Sequence, residues 1–276
     1  MTTPLRRILS HSVGWVADRR IPTLFRAPVY RAYARLFGAD LREVRLPLSA
    51  HPSLAAFFVR HLRDGARPIE QDPDRIVSPV DGTVHGVCEI RSGELLQAKG
   101  RSYSLAELCR GEEHGLALEG GSAWTIYLSP RDYHRIHAPE ACTLTSVRWF
   151  PGARFSVAPR VLARRTVLPI NERAILRLES ARGTFLLVLV GAMNVGRIRV
   201  VGVERDREGV LATPRRFERG AELARFEMGS TIVLIAPAGV VRPRADLAPG
   251  VRVKLGEAIG EYVHLRVDER TAARAG

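Results

Sequence analysis

From about residue 76 onward, apolar residues either alternate with polar ones or come in short runs between turn signals, and both patterns belong to strands. The spacing predicts strands near 76–80, 83–90, 94–98, 123–128, 142–150, 166–170, 173–180, 183–190, 196–204, 222–228, 231–236 and 251–253. Between them Asp81-Gly82, Ser92-Gly93, Arg182-Gly183 and Glu208-Gly209 offer the positive-φ positions that hairpins favour. The first 45 residues differ in character. Leu5, Ile8, Val13, Trp15, Val16, Leu24, Phe25, Val29, Tyr30, Tyr33, Leu36 and Phe37 stand among many arginines, with Pro22 and Pro28 as boundaries, which is short-helix material. A second helical stretch, Leu54–Arg63, leads through Asp64-Gly65 and Pro68 into the first strand. The fold class expected is therefore α+β, a predominantly antiparallel, barrel- or sandwich-like β body over 46–276 with an N-terminal helical arm over 1–45. The closing Arg270–Gly276 reads as a loose tail.

Composition adds a partner class. The 276 residues, 46% hydrophobic and 26% charged, suffice for one large domain or a domain with an appendage. The net charge of +13 is mostly arginine spread along the chain, so it favours an anionic partner, nucleic acid or lipid, although a general arginine bias also explains it. Zinc-finger spacing, an RNP-like strand and a basic run with interleaved aromatics are all missing, which argues against nucleic acid. Basic helices with aromatic and leucine faces suit a bilayer interface. They equally suit an arm packed on the body with its arginines solvated. The longest apolar stretches, Phe185–Met193 and Thr231–Val241, are of strand length or contain Pro237, short of the roughly 18 residues a spanning helix needs. Any membrane contact is expected to be peripheral. Cys88, Cys109 and Cys142 form neither a disulfide framework nor a C-x-x-C pair, which fits a reducing cytoplasm. Ile8–Ala17 is too interrupted to read as a signal peptide.

Three polar elements lie in apolar settings. Ser78-Pro79-Val80-Asp81-Gly82 places a carboxylate between two strands, where it can cap its own turn or orient an imidazole. Tyr133-His134-Arg135-Ile136-His137-Ala138-Pro139 displays two histidines at H-x-x-H spacing. Lacking an intervening glutamate and a third ligand, they suit two proton transfers better than zinc. Its flanking prolines predict a turn-bounded segment with both rings on one pocket. Gly229-Ser230-Thr231 interrupts a strand pattern. It is either a bulge or a backbone in which the serine hydroxyl reaches the preceding carbonyl.

With these elements in this order, the chain resembles the phosphatidylserine decarboxylase family from about residue 50 to 265. The resemblance rests on Ser78-Pro79-Val80-Asp81-Gly82, Asp132–Pro139, Asn171-Glu172-Arg173, Gly191-Ala192-Met193-Asn194-Val195-Gly196, Arg219–Phe226 and Gly229-Ser230-Thr231. Met228 stands where the family has leucine, and Ala224 where it has glycine. The resemblance implies a proenzyme that cuts itself between Gly229 and Ser230 into a β chain (1–229) and an α chain (230–276), which remain together as a heterodimer or higher oligomer. It assigns Asp81, His137 and Ser230 to the cleavage triad, Ser230 becoming a covalent pyruvoyl group (the pyruvate cofactor). That group decarboxylates phosphatidylserine through a Schiff base, giving phosphatidylethanolamine, with His134 protonating the carbanion. No metal or nucleic acid is implied. Localisation is expected on the cytoplasmic side of the cell membrane, with residues 1–45 docking on its anionic lipid. Three rivals stand beside it: a pyruvoyl decarboxylase of a soluble amino acid, a non-catalytic membrane-binding β module, and a zinc hydrolase using His134 and His137.

Overall fold

The computed structural model describes residues 17–96, 102–162, 164–192, 198–205, 209–226 and 230–263. Gly229, Met228, the Met193–Gly196 part of its motif, the first sixteen residues and the C-terminal tail lie outside the described residues. Helix α1 (Thr23–Phe37) starts after Pro22 and stops at Gly38, whose N–H bonds to Ala34 O at 2.8 Å. Pro28, expected as a boundary, lies inside α1. There its missing N–H costs only the bond to the carbonyl of Leu24, at the exposed start of the helix. The stretch expected as one helix over 54–63 ends early: α2 (Leu54–Phe58) is capped by Ser53, whose Oγ accepts from Ala56 N–H at 3.2 Å.

The body follows as β1 (Arg75–Val77), β2 (Gly82–Glu89), β3 (Glu94–Leu96), β4 (Ser102–Ser104), α3 (Leu105–Cys109), β5 (Ser122–Leu128), β6 (Arg135–His137) and β7 (Cys142–Phe150). After α4 (Pro159–Leu162) come β8 (Arg173–Ser180), β9 (Gly183–Gly191), β10 (Ile198–Val200), β11 (Gly209–Phe217) and β12 (Glu222–Phe226). The chain closes with β13 (Ser230–Ala236), β14 (Val241–Pro243), β15 (Arg252–Val253) and β16 (Ala258–Tyr262). An eight-stranded sheet runs β11-β7-β8-β9-β13-β5-β2-β15, and its pairs are antiparallel. Two three-stranded sheets, β1-β16-β14 and β10-β12-β6, contribute to the core on one of its faces.

Period-two alternation divides the interior into two cores. On β13, Ile232 and Leu234 join Leu128, Leu187 and Leu189 in a core shared with Ile136, Ala138 and Phe226 of the small sheet. Val233 and Ile235 point the other way, into a core closed by Leu105, Leu108, Val157 and Leu162. Every residue of β13 is buried. This is why its sequence from Ile232 to Ala236 is continuously apolar instead of alternating.

Two further expectations need correction. Residues 166–170 form no strand. Val167 and Leu168 fill the second core from a turn in which Ile170 and Asn171 both donate to Val167 O. Pro169, which has no N–H to give, is incompatible with a laddered strand. At Asp81-Gly82 the glycine is outside the positive-φ set. Its requirement is steric: a Cβ there would meet Ile126 Cγ2 at 2.6 Å and Tyr127 O at 2.7 Å, so only glycine allows β2 this close to β5.

Candidate active site

Ser230 opens the central strand, paired with Leu128 of β5 on one side and Gly191 of β9 on the other. By alternation its side chain faces the first core, the side of the small sheet. It is 0% exposed, and its Oγ has no hydrogen-bond partner among the described residues. A buried hydroxyl without a partner is costly and rare. Gly191 is itself pinned: its N–H donates to Glu172 O at 2.8 Å, and its carbonyl accepts from Asn171 Nδ2 at 2.9 Å. Asn171 therefore positions the backbone opposite Ser230. Glu172, between Arg154 and Arg205, and Arg173, donating to four carbonyls, hold that corner.

His134 sits where β5 and β12 end. Its backbone carbonyl accepts from Phe226 N–H at 2.9 Å, and its ring meets Phe58 at 4.1 Å. Its Nε2 lies 2.9 Å from the carbonyl of Ser129, the residue after Ser230's strand partner Leu128. A carbonyl only accepts, so the proton is on Nε2 and the lone pair on Nδ1, which is buried and unpartnered. Burial, aided by the charge of Arg60, pushes this imidazole down to about 3.

The two histidines do not share one pocket wall, contrary to the turn-bounded expectation, because Arg135–His137 is strand. Ile136 faces the first core, while Arg135 turns to Glu222 (2.7 Å) and His137 to the Gly220 carbonyl (Nδ1, 2.7 Å) and the Tyr133 hydroxyl (Nε2, 3.3 Å). Gly220 has φ +78°, and a Cβ there would lie 2.9 Å from Ile69. Nδ1 of His137 thus carries the proton, and Nε2 accepts a long, weak bond from Tyr133. Burial lowers the His137 pKa, opposed by the Gly220 bond and by the carboxylates of Glu222 and Asp81.

Asp81 does not hydrogen-bond to His137. It takes a forked bond from Arg67 (Nε 2.9 Å, Nη2 2.6 Å) and one from Leu255 N–H at 2.9 Å, and Arg67 also reaches Glu43 at 2.8 Å. The Ser78–Asp81 loop nevertheless lies beside His137, since Pro79 O accepts His137 N–H at 2.9 Å. Arg67 was not singled out in the sequence, and Tyr133 and Gly220 appeared there only as members of motifs, because their roles arise from tertiary juxtaposition. The available signals were the tyrosine's position beside the H-x-x-H segment and the glycine's place in the Arg219–Phe226 motif.

The buried neutral histidine has a consequence for stability. In the unfolded chain it titrates near 6.5, in the fold near 3, so between these values the unfolded state binds more protons and stability falls as pH falls. The loss is about 1.4 kcal/mol per pH unit from this residue. Urea unfolding of an uncut Ser230→Ala chain at pH 7 and pH 5 should show it, and adding His134→Gln should make the dependence shallower by one proton. An unchanged slope refutes the neutral assignment.

The family model for phosphatidylserine decarboxylase matches residues 54–261. A phosphatidylserine decarboxylase proenzyme of Halorhodospira halophila is 42% identical over 271 residues, covering 92% of this chain and 89% of the relative. Proenzymes of the same name from Pseudomonas aeruginosa (38%; 91% and 92% covered) and Anaeromyxobacter sp. (38%; 92% and 94% covered) are similar over comparable lengths.

Proposed function

Because the chain belongs to the phosphatidylserine decarboxylase family, we propose that this carboxy-lyase matures by cutting itself at Gly229–Ser230 and acts on phosphatidylserine at a membrane surface, releasing carbon dioxide and phosphatidylethanolamine. The observation that carries the reading is the buried, partnerless Ser230 Oγ at the head of the central strand, next to the elements that hold His134 and its open Nδ1.

His137 accepts the hydroxyl proton as Ser230 Oγ attacks the carbonyl of residue 229, and the N-acyl bond becomes an ester. To do so, its ring must release the 3.3 Å contact with Tyr133 and turn toward the face of β6 that Ile136 presents to the first core. Elimination leaves a carboxylate on residue 229 and a dehydroalanine at 230; water then replaces its nitrogen, which departs as ammonia. The pyruvoyl carbonyl formed at position 230 supplies the electron sink for decarboxylation. Asp81, held by Arg67, supports the His137 imidazolium through its charge at a distance. Gly220 O sets the ring's tautomer, the task the sequence reading gave to Asp81. His134, once its open Nδ1 has taken up a proton, passes that proton to the carbon that lost the carboxylate. The test is intact mass together with turnover: fragments of 229 and 47 residues, the shorter blocked at its N-terminus, and carbon dioxide released from phosphatidylserine. A full-length chain with a free serine refutes it and favours the non-catalytic module.

Helix α1 supports peripheral docking. Tyr30 stacks on Phe57 at 4.4 Å, whereas Leu24 (80% exposed), Phe25, Val29 and Leu36 (76%) face outward, with Arg31 and Arg35 exposed along the same helix. Among the described residues, no helix is long and apolar enough to cross a membrane. On this reading the helix lies in the cytoplasmic interface of anionic lipid, and the two cut fragments stay together. A decarboxylase of soluble amino acids gains nothing from such a face. Removing 1–45 uncovers Phe57, so the cleaner variant is Leu24→Ser with Leu36→Ser. It should weaken binding to anionic vesicles by at least about tenfold, given about 1.5–3 kcal/mol per buried leucine, while self-cleavage is unchanged. Equal binding returns the arginines to a solvated role.

A further inference from the structure

Among the described residues Arg60 is a buried cation in no direct ion pair, though the charges of Asp81, Asp132 and Glu43 reach it from a distance. It follows α2, is 3% exposed, and donates from Nη2 to the carbonyls of Arg131 (3.0 Å) and Asp132 (3.4 Å). Its Nε and Nη1 are buried and have no hydrogen-bond partner among the described residues. The other buried arginines are satisfied, Arg173 by carbonyls and Arg135 by Glu222, as is the half-buried Arg67 by Asp81 and Glu43. Asp132, whose backbone Arg60 touches, turns its carboxylate to Ser129 and Arg252. A guanidinium in the interior with two idle donors is a costly arrangement unless an anion completes it.

Its surroundings say which anion. The Arg60 guanidinium lies 5.1 Å from the Phe57 ring, and Phe57 stacks on Tyr30 of α1, so Arg60 stands directly behind the docking helix. Its charge is felt at His134 on the inner side and at His51, whose Nε2 is also buried and unpartnered. Arg60 therefore lies between the membrane-facing helix and the reacting centre. We propose that the free edge of Arg60, with His51 beside it, binds the phosphodiester of the substrate headgroup, an assignment that rests on the decarboxylase reading above. The substrate's carboxylate is the poorer candidate. It loses its charge in the transition state, so a guanidinium clamped on it stabilises the ground state and slows the reaction. The phosphodiester keeps its charge throughout, and the planar fork suits it. An anion on Arg60 also offsets the positive charge that helps keep His134 unprotonated, preparing that ring to donate.

Arg60→Gln and Arg60→Lys should both mature into two fragments. With soluble dihexanoylphosphatidylserine, Arg60→Gln should raise KM about 30-fold, the worth of a lost charged hydrogen-bond pair, with kcat within about threefold; Arg60→Lys should fall between. sn-Glycerol 3-phosphate should compete with substrate on the wild type and lose that competition in Arg60→Gln. A purely structural arginine would change stability or maturation and leave KM and the competition alone. An unchanged KM, or a wild type indifferent to glycerol 3-phosphate, overturns the assignment by itself. If Arg60→Gln does not fold, Arg60→Lys and the wild-type competition decide. A wild type that releases no carbon dioxide from phosphatidylserine overturns the decarboxylase reading, and this assignment with it.

Discussion

Replacing Ser230 by alanine should leave a single chain of 276 residues that releases no carbon dioxide from phosphatidylserine. One atom accounts for both losses on the proposed route, since Oγ is the attacking group and then the leaving group whose elimination, within the residue-229 carboxylate, makes the dehydroalanine that becomes the pyruvoyl group. The substitution should not harm the fold. Oγ makes no hydrogen bond among the described residues, so its removal deletes a buried, unsatisfied polar atom and keeps the strand's pairing with β5 and β9. The alanine chain is therefore expected to be at least as stable as an uncut serine chain. Intact mass and a carbon dioxide assay on the same preparation decide the matter. A Ser230→Ala protein that still appears as two fragments would move the cut site elsewhere.

Separating the histidines should give the second large effect. His137→Ala should slow self-cleavage by about 10²- to 10⁴-fold, the usual worth of a general base. Asp81→Asn should slow it by about tenfold, comparable to one pKa unit of lost imidazolium support. His134→Ala should still cut, yet turn over about 10²-fold more slowly. Basicity is the argument for this division. Glu222 and Asp81 work against burial at His137, and no carboxylate does so at His134. Geometry supplies the opposing consideration, because His134 keeps an open lone pair and is anchored to Ser129, one residue beyond Ser230's strand partner, while both ring nitrogens of His137 are engaged. If His134→Ala fails to cut as completely as Ser230→Ala, His134 is the cleavage base and the division is wrong.

How much of this was legible in the sequence depended on burial pattern. β7 and β8 were read to the residue, and β9 to within one, because their apolar positions are periodic or continuous and the Arg182-Gly183 turn marks the hairpin. β11 was missed because it is a mostly exposed edge strand carrying Arg215 and Arg216, with no buried face to write a period. β4, β6, β14 and β16 are too short or too mixed to stand out. Motifs located Ser230, His134, His137 and Asp81, but not their bonding, and Asp81 turned out to face Arg67. Arg60 carried one signal that went unread: a lone cation directly after Phe57-Phe58-Val59.

If maturation cuts the chain at Gly229–Ser230 as proposed, the position of that cut within the sheet also changes what unfolding means. The 47 residues from Ser230 onward supply β13 at the centre of the large sheet, β15 at its far edge, and both β14 and β16 of a smaller sheet, so the short piece is threaded through the molecule at several points. Before the cut, losing the fold is a unimolecular event. After it, the same event releases two polypeptides, and refolding becomes second order in protein, with an apparent midpoint that rises with concentration. Maturation thereby turns an ordinary folding equilibrium into an assembly equilibrium, and the segment carrying the cofactor can re-form its strand only by finding its partner again.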